Sequence, residues 1–228
     1  LFLGSKNKLK RFKENLNFKN LFQPERDELN KNSFKLRGKW NKLFFKNNNP
    51  IILELGCGKG EYTTTLAKQN PNKNFIGIDI KGARIWTGAK ESIEQKLKNV
   101  CFIRSQIELI DKLFLENEID EIWITFPDPQ LKIQRKKHRL TNSVFLAQYK
   151  RILKKDGFVN LKTDSEFLHG YTLGLIEGMG IKPVFSNHDI YSNNNAPDEA
   201  LSIKTFYEKK FLESKKITFL RFNFNKHE

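Results

Sequence analysis

The chain of 228 residues carries a formal net charge of +15, and 38% of its residues are apolar. This length and apolar content suffice for an α/β domain with its own core. No apolar run approaches the roughly 18 residues of a membrane span, and no signal-peptide pattern opens the chain. The charge favours nucleic acid or an anionic membrane surface as partner. Cys57 and Cys101 lack metal-ligand spacing, so we expect reduced thiols, no metal site and a cytoplasmic location.

The first part of the chain is basic and comes before the predicted sheet. Residues 1–22 hold six lysines and arginines against one acid, Glu14. We predict a basic arm there that is partly helical or becomes ordered on binding. An aromatic segment around Trp40 follows, and the asparagine-rich turn before Pro50 introduces the main domain. The predicted domains are therefore an arm and lead-in segment over residues 1–49 and a main domain over residues 50–228.

From residue 51 onward, short apolar strands alternate with segments of helical spacing. The predicted strands are 51–55, 74–80, 100–104, 121–126, 158–162, 181–186 and 217–224. The predicted helices are 61–69, 81–98, 107–116, 141–154, 166–179 and 201–212. This alternation predicts an α/β fold whose seven-stranded, mostly parallel sheet has helices on both faces. Ligands of such sheets bind beyond the carboxyl ends of the strands.

A glycine-rich loop, Glu54-Leu55-Gly56-Cys57-Gly58-Lys59-Gly60, joins the first of these strands to the first helix. Glycines let the backbone approach a ligand closely, and Asp79 at the end of the next strand can accept hydrogen bonds from ribose hydroxyls. Glu61 occupies the third glycine position of the dinucleotide-binding pattern, where an acid would repel a pyrophosphate. Glu54 also suits a cationic ligand. The loop therefore favours S-adenosylmethionine, which carries a sulfonium and no phosphate, over NAD.

A second motif, Phe126-Pro127-Asp128-Pro129, ends the fourth predicted strand. Because proline restricts φ and lacks a backbone donor, this turn holds the carboxylate of Asp128 rigidly. The next eleven residues contain no acid and five cations, which are Lys132, Arg135, Lys136, Lys137 and Arg139. Lysine and arginine supply phosphate contacts, so we predict a guide for nucleic acid beside a rigid acid.

Each of these features also has a plain structural interpretation. The glycines can serve a tight turn, and Asp79 or Asp164, which ends the fifth strand, can cap the following helix. A run of charges is often a solvated surface. The functional interpretation is favoured because Glu54 and Asp79 occur together, and because Asp128 and its cations lie at the same predicted edge of the sheet.

Together these motifs resemble the bacterial tRNA (guanine-N7)-methyltransferase family over about residues 53–211. The matching segments are the glycine loop, 75–79, 126–141, 161–164 and Thr205-Phe206-Tyr207-Glu208. The resemblance implies a Rossmann-like class I S-adenosylmethionine-dependent methyltransferase fold. Two positions depart from the family: Gln130 stands where Trp is usual, and Gln106 stands where an acid usually meets the adenine of the donor. The amide oxygen of Gln106 can still accept that bond, and Glu108, two residues further on, is the alternative acceptor.

The resemblance further implies methyl transfer to N7 of a guanine in the tRNA variable loop (position 46 in standard tRNA numbering). The implied donor contacts are Glu54, Gly56, Gly58, Asp79, Gln106 and Asp128, and the implied substrate contacts are Lys132, Asp164, Thr205 and Glu208. Asp128 is the expected catalytic residue, and Arg135, Lys136, Lys137 and Arg139 are expected to contact the tRNA backbone. The expected partner is tRNA and no membrane, and we expect a monomer or a homodimer.

The sequence leaves rival functions open. A methyltransferase for another RNA, a protein or a small molecule would explain the glycine loop, although the last two leave the net charge unexplained. A non-catalytic RNA-binding module on the same fold would not bind the methyl donor. An NAD-dependent oxidoreductase is disfavoured by Glu54 and Glu61.

Overall fold

The computed structural model of the protein describes residues 3–211 and 215–225, which form parts of two compact units, Leu1–Phe114 and Leu115–Glu228. Residues 1 and 2 of the predicted arm, residue 212 of the last predicted helix and residues 226–228 of the predicted main domain lie outside the described residues. The described part of the chain contains eight strands. The α/β prediction is confirmed, whereas the predicted number of seven strands is one too few.

The strands of the first unit are all parallel and follow the order β1-β4-β3-β2. They are β1 (Leu21–Phe22), β2 (Ile51–Leu55), β3 (Asn74–Asp79) and β4 (Val100–Arg104). All five residues of β2 are buried, as expected for a parallel strand that is covered on both faces. The unpredicted strand is β1, whose two residues are too few for a periodic pattern. The carboxyl ends of β2 and β3 lie in register, with Leu55 opposite Ile78.

The described residues of the first unit also form helices. They are α1 (Leu3–Asn15), α2 (Arg26–Asn30), a π-helix (Trp40–Phe45), α3 (Glu61–Gln69), α4 (Gly82–Glu94), a 3-10 helix (Ile107–Leu109) and α5 (Ile110–Leu113). The predicted basic arm is the helix α1, which packs on α4: the Asn15 side chain donates to the Gly82 carbonyl at 3.0 Å. Trp40 is buried, and its indole nitrogen donates to the Leu113 carbonyl at 3.2 Å. The described residues before position 50 therefore include side chains, such as Asn15 and Trp40, that pack within the first unit.

The strands of the second unit follow the order β5-β6-β8-β7. They are β5 (Ile119–Thr125), β6 (Leu153–Thr163), β7 (Phe185–Asn187) and β8 (Thr218–Phe222). β5 and β6 are parallel, whereas β8 runs antiparallel to both β6 and β7. The predicted strand 181–186 is shortened to β7, because Pro183 has no backbone N–H to donate within a sheet.

Among the described residues of the second unit there are a 3-10 helix (Ile133–His138) and four α-helices, which are α6 (Ser143–Ile152), α7 (Glu166–Gly178), α8 (Asp198–Ser202) and α9 (Phe206–Phe211). The Asn142 side chain caps α6 by accepting from the Val144 and Phe145 amides at 2.8 and 3.1 Å. The prediction of one helix over 201–212 is wrong. Ile203 has an extended backbone that ends α8, and α9 begins separately after Thr205.

No helix in the described part of the chain is long and apolar enough to cross a membrane.

Candidate active site

The glycine loop between β2 and α3 has a left-handed backbone at three positions, with φ of 76° at Gly56, 57° at Gly58 and 76° at Gly60. A Cβ atom at Gly60 would lie 2.5 Å from Cε1 of Phe102, so packing requires glycine there. A Cβ atom at Gly58 would meet nothing within 4 Å. The loop therefore presents open backbone at Gly58, which fits a bound ligand that lies against it.

Glu54 is buried at the end of β2 and is only 4% exposed. Its Oε2 accepts a hydrogen bond from the Thr63 backbone amide at 2.9 Å and another from the Thr63 hydroxyl. Thr63 lies in the first turn of α3, where a carboxylate stabilises the positive end of the helix dipole. Glu54 thus has a structural role in holding the loop, and its predicted contact with the methyl donor stays a prediction.

Asp79 ends β3 and connects two backbone segments. Its Oδ2 accepts from the Gly58 amide at 2.9 Å, and its Oδ1 accepts from the Lys81 amide at 2.8 Å. The N-cap position of α4 is Lys81, so Asp79 is not the cap of that helix. Each carboxylate oxygen has a second lone pair, so Asp79 can still accept from ribose hydroxyls while it orders the loop.

Cys57 lies buried within the glycine loop. Burial and, to a smaller extent, the carboxylates of Glu54 and Asp79 raise the pKa of this thiol well above its usual value. The thiol is therefore neutral at pH 7 and adds no negative charge beside the two carboxylates.

Ile80, the residue after Asp79, lines an open cleft of about 570 Å³, together with Gln106 and Leu109. Gln106 is the second residue after β4 and is exposed. Phe12 of α1 also lines the cleft, although sequence alone did not assign the arm to this place. Charged side chains, among them Arg26 and Arg104, line the rest of the cleft, so a purine base would pack against its apolar part. The open backbone at Gly58, the Asp79 carboxylate and this cleft together fit the nucleoside part of S-adenosylmethionine.

In the second unit, the exposed Asp128 lies in a turn with an unusual backbone. Phe126 and Gln130, on either side of it, both have positive φ, at 46° and 49°. This region is strained for residues other than glycine and persists only where the surrounding structure holds it. The Asp128 Oδ1 accepts from the Gln130 amide at 3.0 Å. The carboxylate is therefore fixed and reachable, in agreement with the rigid acid predicted from the two prolines.

Arg139 is hydrogen-bonded to the end of this turn and is only 6% exposed. Its guanidinium lies 4.7 Å from the Phe167 ring centre and 4.5 Å from that of Tyr171. It donates to the Gln130 carbonyl at 3.2 Å and to the Leu131 carbonyl at 3.4 Å. These contacts give Arg139 a structural role, and its burial leaves little surface for the predicted tRNA contact, which stays a prediction.

The other four cations of the basic run differ from Arg139 because every residue from 131 to 138 is exposed. Lys132 occupies the N-cap position of the 3-10 helix, and Arg135, Lys136 and Lys137 lie within it. Their ammonium and guanidinium groups are accessible to a polyanion. The predicted roles of Lys132 at the substrate and of the other three at the tRNA backbone are compatible with this placement.

Thr205 and Glu208, two predicted substrate contacts, bind each other at the start of α9. The Thr205 hydroxyl accepts from the Glu208 amide at 3.2 Å, and the Thr205 amide donates to Glu208 Oε2 at 3.3 Å. This reciprocal pair is a capping box. Glu208, the acidic residue of this capping box, is buried and only 4% exposed.

Asp164, the remaining predicted substrate contact, follows β6. Its carboxylate pairs with the Lys215 ammonium at 3.2 Å. The cap of α7 is Ser165, whose hydroxyl accepts from the Leu168 amide at 3.2 Å. The alternative interpretation of Asp164 as the helix cap is therefore wrong, and its contact with a base stays a prediction.

Sequence alone assigned no role to Lys162 or Tyr191, although both contact Glu208. Lys162 Nζ lies 3.0 Å from Glu208 Oε1, and the Tyr191 hydroxyl donates to the same carboxylate. A lysine inside an apolar strand is the signal that was available for Lys162, because lysine is almost never fully buried without a partner. No comparable pattern marks Tyr191, which lies in a polar loop.

Comparison with known proteins agrees with this geometry. A family model described as a putative methyltransferase matches residues 48–220. The fold resembles the solved 16S rRNA methyltransferase KamB with a TM-score of 0.60 at 14% identity, covering 79% of this chain and 90% of that one. It also resembles a 16S rRNA (adenine(1408)-N(1))-methyltransferase from Catenulisporales acidiphilia, solved as a mutant with cosubstrate SAM, with a TM-score of 0.54 at 13% identity. That similarity covers 88% of this chain and 91% of the other.

The fold and the glycine loop together define a class I methyltransferase that uses S-adenosyl-L-methionine. A tRNA (guanine-N(7)-)-methyltransferase from Christiangramia forsetii is 62% identical over 221 residues, which cover 96% of this chain and 99% of that protein. The chain belongs to the tRNA (guanine-N7)-methyltransferase family, and the resemblance predicted from its motifs is confirmed.

Proposed function

We propose that this chain methylates N7 of the guanine in the variable loop of tRNA, with Asp128 as the catalytic residue. The observation that carries the proposal is the exposed Asp128 carboxylate, held in a turn with two strained neighbours beside an exposed basic 3-10 helix. A fixed negative charge next to accessible cations suits a base that becomes cationic while its nucleic acid is held by phosphate contacts.

The chemistry requires alignment more than proton transfer. S-adenosyl-L-methionine supplies an electrophilic methyl group on a sulfonium. Guanine N7 has a free lone pair, so no base would have to remove a proton before the new N–C bond forms. The S–CH3 bond would break at the same time, and its electron pair would stay on sulfur as the neutral thioether of S-adenosylhomocysteine. The purine gains a positive charge in the reaction, and the carboxylate of Asp128 stabilises that charge in the transition state.

The donor is held by residues of the first unit in this proposal, which are Glu54, Gly56, Gly58, Asp79 and Gln106. The substrate is held by Lys132, Asp164, Thr205 and Glu208, and Asp128 also contacts the donor. Support comes from the open backbone at Gly58 and from the cleft lined by Gln106. Glu54 and Glu208 are both buried, which favours an additional structural role for each: they hold in place the elements that carry the other proposed donor and substrate contacts.

The proposed substrate is folded tRNA, in which N7 of this guanine takes part in tertiary contacts. The enzyme has to loosen or extrude the nucleotide before methyl transfer. The exposed cations Arg135, Lys136 and Lys137 hold the tRNA backbone meanwhile. We place the reaction in the cytoplasm, which accords with the two buried free cysteines, and we propose a monomer or homodimer as the working form.

The test is to incubate tRNA that lacks this modification with labelled S-adenosylmethionine and to map the methylated nucleotide. We expect label on N7 of the variable-loop guanine. Asp128→Asn should lower kcat by roughly 10²–10³-fold, because the amide keeps the shape of the side chain without its charge. Circular dichroism and thermal unfolding should show an unchanged fold.

The matched control is Asp156→Asn, which removes the charge of another exposed aspartate in the same unit. This variant should retain the wild-type rate. A label on a different nucleotide would refute the proposed target, and near wild-type activity of Asp128→Asn would refute the catalytic role of that residue.

A further inference from the structure

Lys162 is an unusual residue because it lies inside β6 with 0% of its side chain exposed. Its ammonium donates to the Tyr191 hydroxyl at 3.0 Å, to the Ile203 carbonyl at 2.9 Å and to Glu208 Oε2 at 3.1 Å. An ammonium has three N–H donors, and these three bonds account for them. The buried charge is thus hydrogen-bonded to three groups, as a buried charge must be to be tolerated.

The three partners of this ammonium all lie on one stretch of chain, residues 191–208. Tyr191 is bonded to Glu208 as well as to Lys162. Glu208 in turn forms the capping box with Thr205. The Lys162 side chain therefore anchors the segment that carries the proposed substrate contacts.

The backbone of Lys162 contacts the other part of the proposed substrate site. Its carbonyl accepts from the Phe126 amide at 2.8 Å, at the start of the turn that carries Asp128. The Phe126 ring centre lies 5.6 Å from the Lys162 ammonium and 5.9 Å from the ring centre of Tyr207. One residue thus connects the strained turn on one side to α9 on the other.

We propose that Lys162 is a positioning residue that holds the Thr205–Glu208 segment in register with the Asp128 turn and so sets the place of the target guanine. This inference rests on the proposed function of Asp128, Thr205 and Glu208. Lys162 acts through these residues and does not touch the substrate. A lysine that served stability alone would affect unfolding and leave the KM for tRNA and the pH profile unchanged.

The protonation state of Lys162 should make the activity depend on pH, which provides a test of the proposal. Burial, as the largest influence, lowers the pKa of Lys162 to about 8; Glu208 opposes this effect, and Lys204 adds to it. Tyr191 also faces the ammonium, and burial followed by Glu208 raises its pKa, so it stays a neutral hydroxyl. With a pKa near 8, the protonated fraction of Lys162 falls from about 0.9 at pH 7 to about 0.1 at pH 9. Activity should fall about tenfold over this range, because the neutral amine binds the carboxylate more weakly.

The experiment compares full-length wild type with Lys162→Met and Lys162→Arg, using unmodified tRNA and S-adenosylmethionine. Lys162→Met should lower kcat/KM for tRNA by about 10²-fold, because a small misplacement of reacting groups has effects of that size. Its KM for the donor should stay at the wild-type value. Lys162→Arg keeps the charge and should remove the loss of activity between pH 7 and pH 9.

The matched control is Lys204→Met, which removes an exposed cation from the same segment. This variant should retain the fall in activity, moved to slightly higher pH. If Lys162→Met does not fold, Tyr191→Phe replaces it. That variant keeps both charges and removes only the hydroxyl that bridges Lys162 and Glu208, and it should raise KM for tRNA several-fold.

Two results would overturn the proposal. One is a kcat/KM for tRNA within twofold of wild type in Lys162→Met, or in Tyr191→Phe where that variant replaces it. The other is an unchanged loss of activity between pH 7 and pH 9 in Lys162→Arg. The position of the methylated nucleotide is an independent measurement, and methylation of a different guanine would refute the proposed function. The kcat/KM values of the variants relative to wild type and their pH profiles would still test the role of Lys162.

Discussion

His169 is a further buried ionisable residue, and it lies outside the proposed site. It is wholly buried in α7, its Nε2 lies 3.0 Å from the Ser186 hydroxyl, and its ring centre is 4.3 Å from that of His188. Burial and, to a smaller extent, His188 lower the pKa of His169 to about 4. The folded protein therefore keeps this imidazole neutral at pH values where the unfolded chain is protonated.

The expected consequence is a loss of stability in acid. Between pH 6.5 and pH 4 the unfolded state binds a proton at His169 that the folded state does not, so the free energy of unfolding falls as pH is lowered. The shift from 6.5 to about 4 corresponds to about 3 kcal/mol. His169→Gln should remove this part of the pH dependence, as measured by urea unfolding at several pH values. The exposed His138→Gln is the control, and an equal pH dependence in wild type and His169→Gln would contradict the assignment.

At the scale of elements, the proposed donor contacts of the first unit and the Asp128 turn of the second unit each lie at or after the end of a strand. The glycine loop follows β2, Asp79 ends β3, Gln106 follows β4 and the Asp128 turn follows β5. This placement is expected for α/β sheets, whose ligands bind beyond the carboxyl ends of the strands. The exposed 3-10 helix Ile133–His138 is the element on which recognition of tRNA depends in our proposal.

The variant with Arg135, Lys136 and Lys137 all changed to Gln tests that element. Removal of each phosphate interaction should reduce the slope of log K against log salt by roughly 0.7–0.9, so we expect a total reduction of about two to three. The measurement is tRNA affinity between low and moderate salt. The control changes three exposed lysines elsewhere, Lys68, Lys98 and Lys182, and lowers net charge by the same amount. Equal slopes for the two variants would show that net charge alone drives binding.

At the scale of the whole molecule, binding of the methyl donor should couple to folding. A ligand that binds only the folded state at a hundredfold excess over its Kd stabilises that state by about 2.7 kcal/mol. For a chain of 228 residues this corresponds to a rise in Tm of roughly 5–10 °C. S-adenosylmethionine should produce such a rise in thermal unfolding, whereas NAD should not. A rise with NAD and none with S-adenosylmethionine would contradict the assigned donor, and Asp79→Asn should reduce the effect.

The sequence by itself determined those features that depend on local chemistry. Apolar runs predicted six of the eight strands close to their observed places, because burial on both faces of a sheet demands a continuous apolar segment. Glycines at Gly56, Gly58 and Gly60 predicted a loop with an unusual backbone, and two prolines predicted the rigid turn of Asp128. Several spaced motifs together were enough to predict the family, which the relatives confirm.

Only the tertiary structure decided which charged residues are buried and which are accessible. Arg139 ends an otherwise exposed basic run, and it is buried because two aromatic rings of α7 enclose its guanidinium. Lys162 and Glu208 are 46 residues apart in sequence, and their pairing depends on how residues 191–208 pack against β6. The sequence predicted a basic arm where helix α1 lies, and only the structure shows that this helix packs on α4. These features depend on contacts between distant segments, and local residue preferences carry no information about them.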